Sequence, residues 1–347
     1  DGLAFVSDPS PELTLNTGAG VGGTTPVSAS ATSNSDGTTE LVFDLSSALD
    51  VADVDGAADG RVLGGCVPPG GGVVDCNQYD AGPTTLTLTF FADILETYRV
   101  DPASGDRTVV QGDVLTNDVT ASGQILDPSD LTTTGQTDDD GSSASLRVPT
   151  PTLAKALYAI DGVLAPDPPE FAPGSLVTYR LTLDLPTSDF EDLELRDYFP
   201  LPVFDVGAPP TQTTLDFDAE PDAVPGAGAW AYGPVHDAPV PDPTVSVDAA
   251  TNSVAFDFGS YDDTGSDAST IDLLITLSTE DAAFSDRLLL TNLGSARAST
   301  SDSTTQNLAS DAIVQVVYTR PELNVSKGVV AVSDSQLDDE RSFSFPS

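Results

Sequence analysis

Lysine is the residue type whose distribution points most directly to chemistry in this chain. The sequence of 347 residues contains only two lysines, Lys155 and Lys327. Residues 149–161 align without a gap on residues 321–333, and the alignment places one lysine on the other. A chain that almost lacks lysine but keeps it at one position of a repeat indicates a specific role for the amine.

The predicted orientation of these lysines makes that role chemical. Both segments are predicted strands, and side chains alternate between the two faces of a strand. Lys155 then shares a face with Leu153 and Leu157, and Lys327 shares one with Val325. If these apolar residues face a core, the amine is buried with them. Burying an unpaired ammonium ion is costly, so we expect the lysine to be neutral, paired or chemically consumed.

Two further polar residues are predicted to point into the same interior. Asp197 shares a strand face with Leu195, and Asn292 shares one with Leu290. Strands from the beginning and the end of a sandwich domain are commonly neighbours, so the sequence predicts that Lys155, Asp197 and Asn292 converge.

This trio has the composition required for an intramolecular isopeptide bond. Burial disfavours the lysine cation and frees the amine as a nucleophile. Burial also keeps the Asp197 carboxyl protonated, so that it can donate to the Asn292 carbonyl while the amide forms and ammonia leaves. Two other interpretations are a buried ion pair of Lys155 with Asp161 or Asp197, and a surface lysine in a different register.

The elements that would position the trio belong to an internal repeat. Strand-like runs with abundant Thr, Ser, Gly and Pro, and few helix-favouring runs, predict an all-β protein of tandem Ig-like β-sandwich domains. Residues 1–148 are predicted to form a partial domain without its opening strands. Residues 149–320 form a complete domain with a long loop at 201–245, and residues 321–347 supply the opening strand of a third repeat.

The order of these motifs resembles the tandem Ig-like surface-repeat domains of large secreted prokaryotic adhesins and of isopeptide-forming fimbrial proteins. The resemblance is carried by residues 153–155, 177–182, 195–200, 255–259 and 290–292, and it covers the middle unit from end to end. It implies sandwiches strung into a stalk, with Lys155 and Asn292 as the bonded pair and Asp197 as the catalyst of a single autocatalytic step. The chain is therefore not expected to be a turnover enzyme.

The expected function is structural or adhesive, at the cell surface or outside the cell. The partners would be neighbouring repeats or subunits of the same protein. Lys327 and Asn117 lie at repeat positions whose counterparts are bonded in the middle unit, so they are an unpaired donor and acceptor. One alternative is a head-to-tail filament in which the carboxy-terminal strand of one chain completes the first unit of the next. The other is a ligand-binding adhesin module for glycans or calcium.

Composition excludes some classes of partner. The formal net charge is −43, from 55 acidic and 12 basic residues, and nucleic-acid phosphates require Lys and Arg. No apolar run is long enough to span a bilayer. The two cysteines, Cys66 and Cys76, bracket a Pro/Gly-rich loop, and a disulfide between them is expected in an exported protein.

The remaining candidate sites are weaker. Asp53, Asp55 and Asp59 have the close spacing of a calcium loop, although a solvated acidic turn explains them as well, and no cofactor is otherwise required. In the long loop, Trp230 and Tyr232 could stack on a surface glycan or form a small core of the loop itself. His236 is the only histidine, so conventional Ser/His/Asp or Cys/His hydrolysis is not expected.

Overall fold

The computed structural model describes residues 1–16, 22–52, 85–127, 130, 132–263, 267–282, 284–320 and 327. The described chain is nearly all β, as the composition predicts. Among the described residues, no helix is long and apolar enough to cross a membrane.

The amino-terminal unit contains nine strands and one helix among its described residues. These are β1 (Leu3–Val6), β2 (Glu12–Asn16), β3 (Gly22–Pro26), β4 (Ala29–Ser33), β5 (Thr39–Phe43), α1 (Leu45–Ala52), β6 (Thr85–Thr89), β7 (Phe91–Ile94), β8 (Val114–Leu126) and β9 (Thr133–Arg147). They form the sheets β3-β2-β6, β1-β7, β4-β5 and β8-β9. A small apolar cluster, built on Leu13, Leu15, Val27 and Leu49, holds α1 against the sheets.

Helix α1 was not predicted from the sequence. Asp44 caps it, because the Asp44 carboxylate accepts hydrogen bonds from the backbone N–H and the hydroxyl of Ser47. Burial of Leu49 on the apolar side of the helix adds tertiary stabilisation. A helix of eight residues is marginal alone, so this contact with the neighbouring sheets is what sustains it.

The middle unit is a two-layer sandwich of twelve strands. They are β10 (Thr152–Ile160), β11 (Val163–Leu164), β12 (Glu170–Phe171), β13 (Leu176–Leu185), β14 (Phe190–Tyr198), β15 (Thr211–Gln212), β16 (Ala229–Tyr232), β17 (Thr244–Asp248), β18 (Ser253–Tyr261), β19 (Ser269–Ser278), β20 (Leu288–Ser299) and β21 (Leu308–Tyr318). One sheet has the order β11-β10-β13-β19-β16-β15, and the other has the order β12-β21-β20-β14-β18-β17.

The core of the sandwich follows from strand alternation. In β14, Leu193, Leu195 and Asp197 are buried in alternation with Glu194 and Arg196, which are half-buried on the outer face. Aromatic side chains such as Tyr179, Phe204, Trp230 and Phe256 fill the space between the two sheets. Lys155, Asp197 and Asn292 are therefore embedded in the largest apolar core of the described chain.

Two regions differ from the sequence-based interpretation. Residues 201–245 were expected to be a long loop, but they supply β16, which pairs with the central strand β19. Residues 138–143 are rich in Asp, Gly and Ser, a composition typical of a polar turn, but they lie inside β9, paired with β8. In both places the tertiary hydrogen-bonding partner outweighs a local composition that is unfavourable for strands.

The two units are joined through a buried carboxylate. Asp113, just before β8, accepts hydrogen bonds from Tyr98 and Val110 in its own unit. It also accepts from the backbone N–H and the hydroxyl of Ser301 in the middle unit. Gln111 adds donor contacts to the carbonyls of Thr187 and Asp189. The connection between the units is thus a hydrogen-bonded contact in addition to a covalent chain.

Candidate cross-link site

Three strands bring the predicted trio into one place. Lys155 lies in β10, which belongs to the first sheet of the sandwich, with Leu181 of β13 opposite it. Asp197 in β14 and Asn292 in β20 both belong to the second sheet, where Asp197 pairs with Gly294. A bond between Lys155 and Asn292 would therefore link the two sheets. It would run from the opening strand to the penultimate strand, rather than to the last strand.

The amine and the carboxylate are in direct contact. Lys155 Nζ lies 2.5 Å from Asp197 Oδ1, and both side chains have 0% exposure. Asn292 is also fully buried. This burial excludes a surface lysine, and Asp161 is not the partner. Its carboxylate instead accepts from Ser175 and from the backbone of Leu176.

The Asn292 side-chain amide completes the cluster, but it makes no well-aligned hydrogen bond. The Asn292 amide adjoins the Asp197 carboxyl and the Tyr179 hydroxyl. Five polar atoms of this cluster make no hydrogen bond of good geometry within the described structure. They are both amide atoms of Asn292, both carboxylate oxygens of Asp197, and Lys155 Nζ. Leaving a buried polar atom unsatisfied costs about 1–3 kcal/mol, so the buried Asn292 amide is unfavourable in this packing.

Aromatic rings enclose the amine on its other sides. Lys155 Nζ lies 5.1 Å from the centroid of the Tyr179 ring and 5.7 Å from that of Phe199. Phe199 is held by Asn252, whose buried side-chain amide donates to the carbonyls of Phe199 and Phe204. These rings keep bulk water away from the cluster.

Burial shifts the pKa of both the amine and the carboxyl. Desolvation lowers the pKa of Lys155, and the opposite charge of Asp197 offsets this only in part. Desolvation likewise raises the pKa of Asp197, against the opposing effects of Lys155 and Asn292. Both shifts favour the uncharged forms, a free amine beside a carboxylic acid.

Gly294 is a positioning residue that the sequence-based interpretation missed. A Cβ atom at this position would lie 2.8 Å from Leu181 Cδ2 and 3.3 Å from Lys155 Cδ. The absence of a side chain at Gly294 therefore leaves the space in which the Lys155 stem crosses β20. The spacing Asn-x-Gly was visible in the sequence, but only the pairing of the sheets reveals which side chain needs the room.

The other predicted site residues are distributed as follows. Asn117 lies in β8 and is exposed, and Lys327 is also exposed. Cys66, Cys76, Asp53, Asp55 and Asp59 lie outside the described residues. Among the described residues, no group of three or more His, Cys, Asp or Glu side chains could hold a metal ion.

The aromatic residues of the 201–245 region do not form a glycan platform. Trp230 is 2% exposed and packs edge-on against Phe256 in the core. Tyr232 stacks on His236 with ring centroids 3.8 Å apart. Nearby, Arg180 makes a two-bond ion pair with Asp272 on the outer side of the same sheet. These contacts give the aromatic residues structural roles. Because Trp230 is buried, its ring cannot stack on a sugar.

Comparison with known proteins gives structural likeness only. No family model matches the sequence, and no curated protein matches it. Among solved structures, the major pilin subunit BcpA of Bacillus cereus is similar with 15% identity and a TM-score of 0.31, covering 68% of this chain and 54% of that one. The carboxy-terminal domain of the Streptococcus pyogenes antigen I/II-family protein AspA gives 11% identity and a TM-score of 0.33, covering 70% and 61%. The Actinomyces fimbrial adhesin FimA gives 11% and 0.28, covering 47% and 56%.

These matches are pilins, fimbrial adhesins and related surface domains, the group that the sequence motifs resemble. The chain spans about half the length of the Bacillus pilin. The functional argument therefore rests on the geometry of the site.

Proposed function

We propose that this chain is a segment of an extracellular stalk or fibre, built from β-sandwich units and clamped by a Lys155–Asn292 isopeptide bond. The contact between Lys155 and Asp197, fully buried beside Asn292, carries the proposal. In a simple ion pair the buried Asn292 amide would stay without a hydrogen-bond partner. A covalent amide removes the buried amine and replaces the primary amide with a single secondary amide.

The reaction is a single transamidation. The uncharged Lys155 amine attacks Cγ of Asn292, and the protonated Asp197 carboxyl donates a hydrogen bond to the carbonyl oxygen as negative charge develops there. The C–N bond to the side-chain nitrogen of Asn292 breaks, and that nitrogen takes a proton from the attacking amine through Asp197. The products are one secondary amide and one ammonia, and Asp197 regains its proton. Because the amide persists, the protein performs the step once and is not a turnover enzyme.

The position of the bond suits a load-bearing role. It would join β10, which opens the middle sandwich, to β20, near the end of the same sandwich. Tension applied between the ends of this unit would then pass through the amide, and the intervening strands would not have to separate. A surface fibre or adhesin shaft needs this property.

The test is an intact mass of the purified chain under denaturing and reducing conditions, followed by peptide mapping. We expect a mass lower by one ammonia, about 17 Da, with the peptides containing Lys155 and Asn292 joined. The Asp197→Ala variant should have the full mass, because the proton donor is absent. A wild-type chain of full mass with a free Lys155 would replace the cross-link with a buried ion pair.

A further inference from the structure

The long β8–β9 ribbon is the most exposed regular structure of the described chain. Its two strands pair only with each other, and nearly every residue in them is exposed. An isolated two-stranded ribbon is marginally stable at best in water, and here it spans 13 and 15 residues. A partner that covers one of its faces would stabilise it.

One face of the ribbon has the character of a core. We call it the Asn117 face. It consists of Leu115, Asn117, Val119 and Ala121 in β8 and their direct partners Leu146, Ala144, Ser142 and Asp140 in β9. Val119 is 54% exposed and Leu146 is 51% exposed. The opposite face carries Thr116, Asp118, Thr120, Ser143 and Ser145, which suit contact with water.

The middle unit contains the same ribbon with its face covered. In β20–β21, Leu290 pairs with Val316, Asn292 with Val314 and Gly294 with Ala312. This register matches, pair for pair, that of Leu115, Asn117 and Val119 in β8.

The cover in the middle unit is the lysine strand β10. Gly294 of β20 is bordered by the side chains of Lys155 and Leu153. At the edge of the same face, the Leu153 backbone N–H donates to the Ser310 hydroxyl. Leu115, at one end of the Asn117 face, is already buried beside Gly2 and Tyr98. Beyond it, Asn117, Val119 and Ala121 are exposed, and no described strand covers them in this way.

We propose that the Asn117 face binds residues 321–333 of a second copy of this chain, in the way that β10 covers the Asn292 face. Residues 321–333 are the repeat of β10 and its flanks, with Val325 in the place of Leu153 and Lys327 in the place of Lys155. This segment follows the last strand of the middle unit directly, as β10 follows β9. The proposal names a partner within the fibre function proposed above.

The charges on the Asn117 face match this occupant. Asp140 has the ribbon position that Ser310 has in the middle unit, so its carboxylate can accept from the Val325 backbone N–H. Lys327 is the only cation in residues 321–333, and it would lie beside the same carboxylate. If the β8–β9 ribbon of a second chain were the occupant instead, the two Asp140 carboxylates would face each other and repel.

The contact is non-covalent. Val119 stands where Gly294 leaves space for the Lys155 stem, so Lys327 is directed to the edge of the face rather than beneath it. The β8–β9 ribbon is then the acceptor, and residues 321–333 are the donor segment. Because the two surfaces differ, the contact does not close on itself and adds copies head to tail.

The test uses the full chain and sedimentation velocity over a range of concentrations. Wild type should assemble with increasing concentration. Val119→Asp in the ribbon and Val325→Asp in the segment should each weaken association by at least about tenfold, because each places a carboxylate in the apolar contact. Thr120→Asp and Ser326→Asp are matched controls on the opposite faces, and both should assemble as wild type does.

Mixing provides the decisive measurement. Val119→Asp retains a working segment and Val325→Asp retains a working ribbon, so an equimolar mixture should form dimers and no longer species. Wild type that remains monomeric at all concentrations would overturn the proposal. So would loss of assembly in Val119→Asp together with normal assembly in Val325→Asp, which would indicate ribbon-to-ribbon pairing. The Lys155–Asn292 cross-link is tested separately by intact mass and peptide mapping. Failure of the assembly proposal therefore leaves the cross-link proposal unaffected, and the reverse also holds.

Discussion

The isopeptide bond predicts a large and specific loss of stability when its acceptor is removed. Asn292→Leu keeps the approximate volume of the side chain but offers no amide to the Lys155 amine. The bond would close a loop of about 137 residues, for which the chain-entropy model of a cross-link gives about 5 kcal/mol. For a protein of this size, each kcal/mol shifts the melting temperature by about 2–4 °C, so we expect a decrease of about 10–20 °C.

The assay is thermal unfolding by calorimetry, combined with the intact mass of each sample. Asn117→Leu is the matched control, because it makes the same substitution at the repeat position on the exposed ribbon. It should change neither the mass nor the melting temperature at concentrations where the chain is monomeric. A wild type with the ammonia-deficient mass whose melting temperature exceeds that of Asn292→Leu by less than about 3 °C would refute the reasoning from loop closure.

Three further predictions follow from individual contacts. Gly294→Val should leave most chains at full mass, because its side chain would occupy the path of Lys155, and Gly294→Ala should slow amide formation in freshly refolded protein. Asp113→Ala removes an acceptor shared by two donors of its own unit and two of the middle unit, so the amino-terminal unit should lose about 2–4 kcal/mol and melt separately in calorimetry. Ser301→Ala removes only one side-chain donor and should have a smaller effect. Burial lowers the pKa of His236, so the folded state loses stability as pH falls below the ordinary histidine pKa near 6.5. His236→Gln should therefore lose less stability than wild type between about pH 7 and 5.5, as measured by urea unfolding.

The sign of the histidine effect follows from where protons bind. Since the folded pKa is below the unfolded one, the unfolded state takes up protons first as pH decreases. The three carboxylates that favour the protonated imidazole, Asp237, Asp242 and Asp272, do not offset its desolvation. An equal pH dependence in wild type and His236→Gln would contradict this assignment.

Local sequence patterns were sufficient to place the candidate site residues on the correct faces of their strands. Alternation in residues 193–197 predicted that Asp197 lies with Leu195 on the buried face, and the structure buries both. Repeat order predicted that Asn117 and Asn292 are equivalent, and their strands have the same register with the strands that follow them. These inferences succeed because the period of two along a strand is a local property of the backbone.

The tertiary structure decided which of these equivalent positions became a site. Asn292 is buried because β10 and the facing sheet cover its ribbon, whereas Asn117 is exposed on a ribbon that has the same local pattern but no cover. Helix α1, the insertion of β16 beside β19 and the space provided by Gly294 also depend on partners distant in sequence. By itself, then, the sequence determined the all-β class and pointed to Lys155, Asp197 and Asn292. Their burial, and with it the pKa shifts of Lys155 and Asp197, came from the packing of one sheet on another, because desolvation depends on everything that surrounds a group.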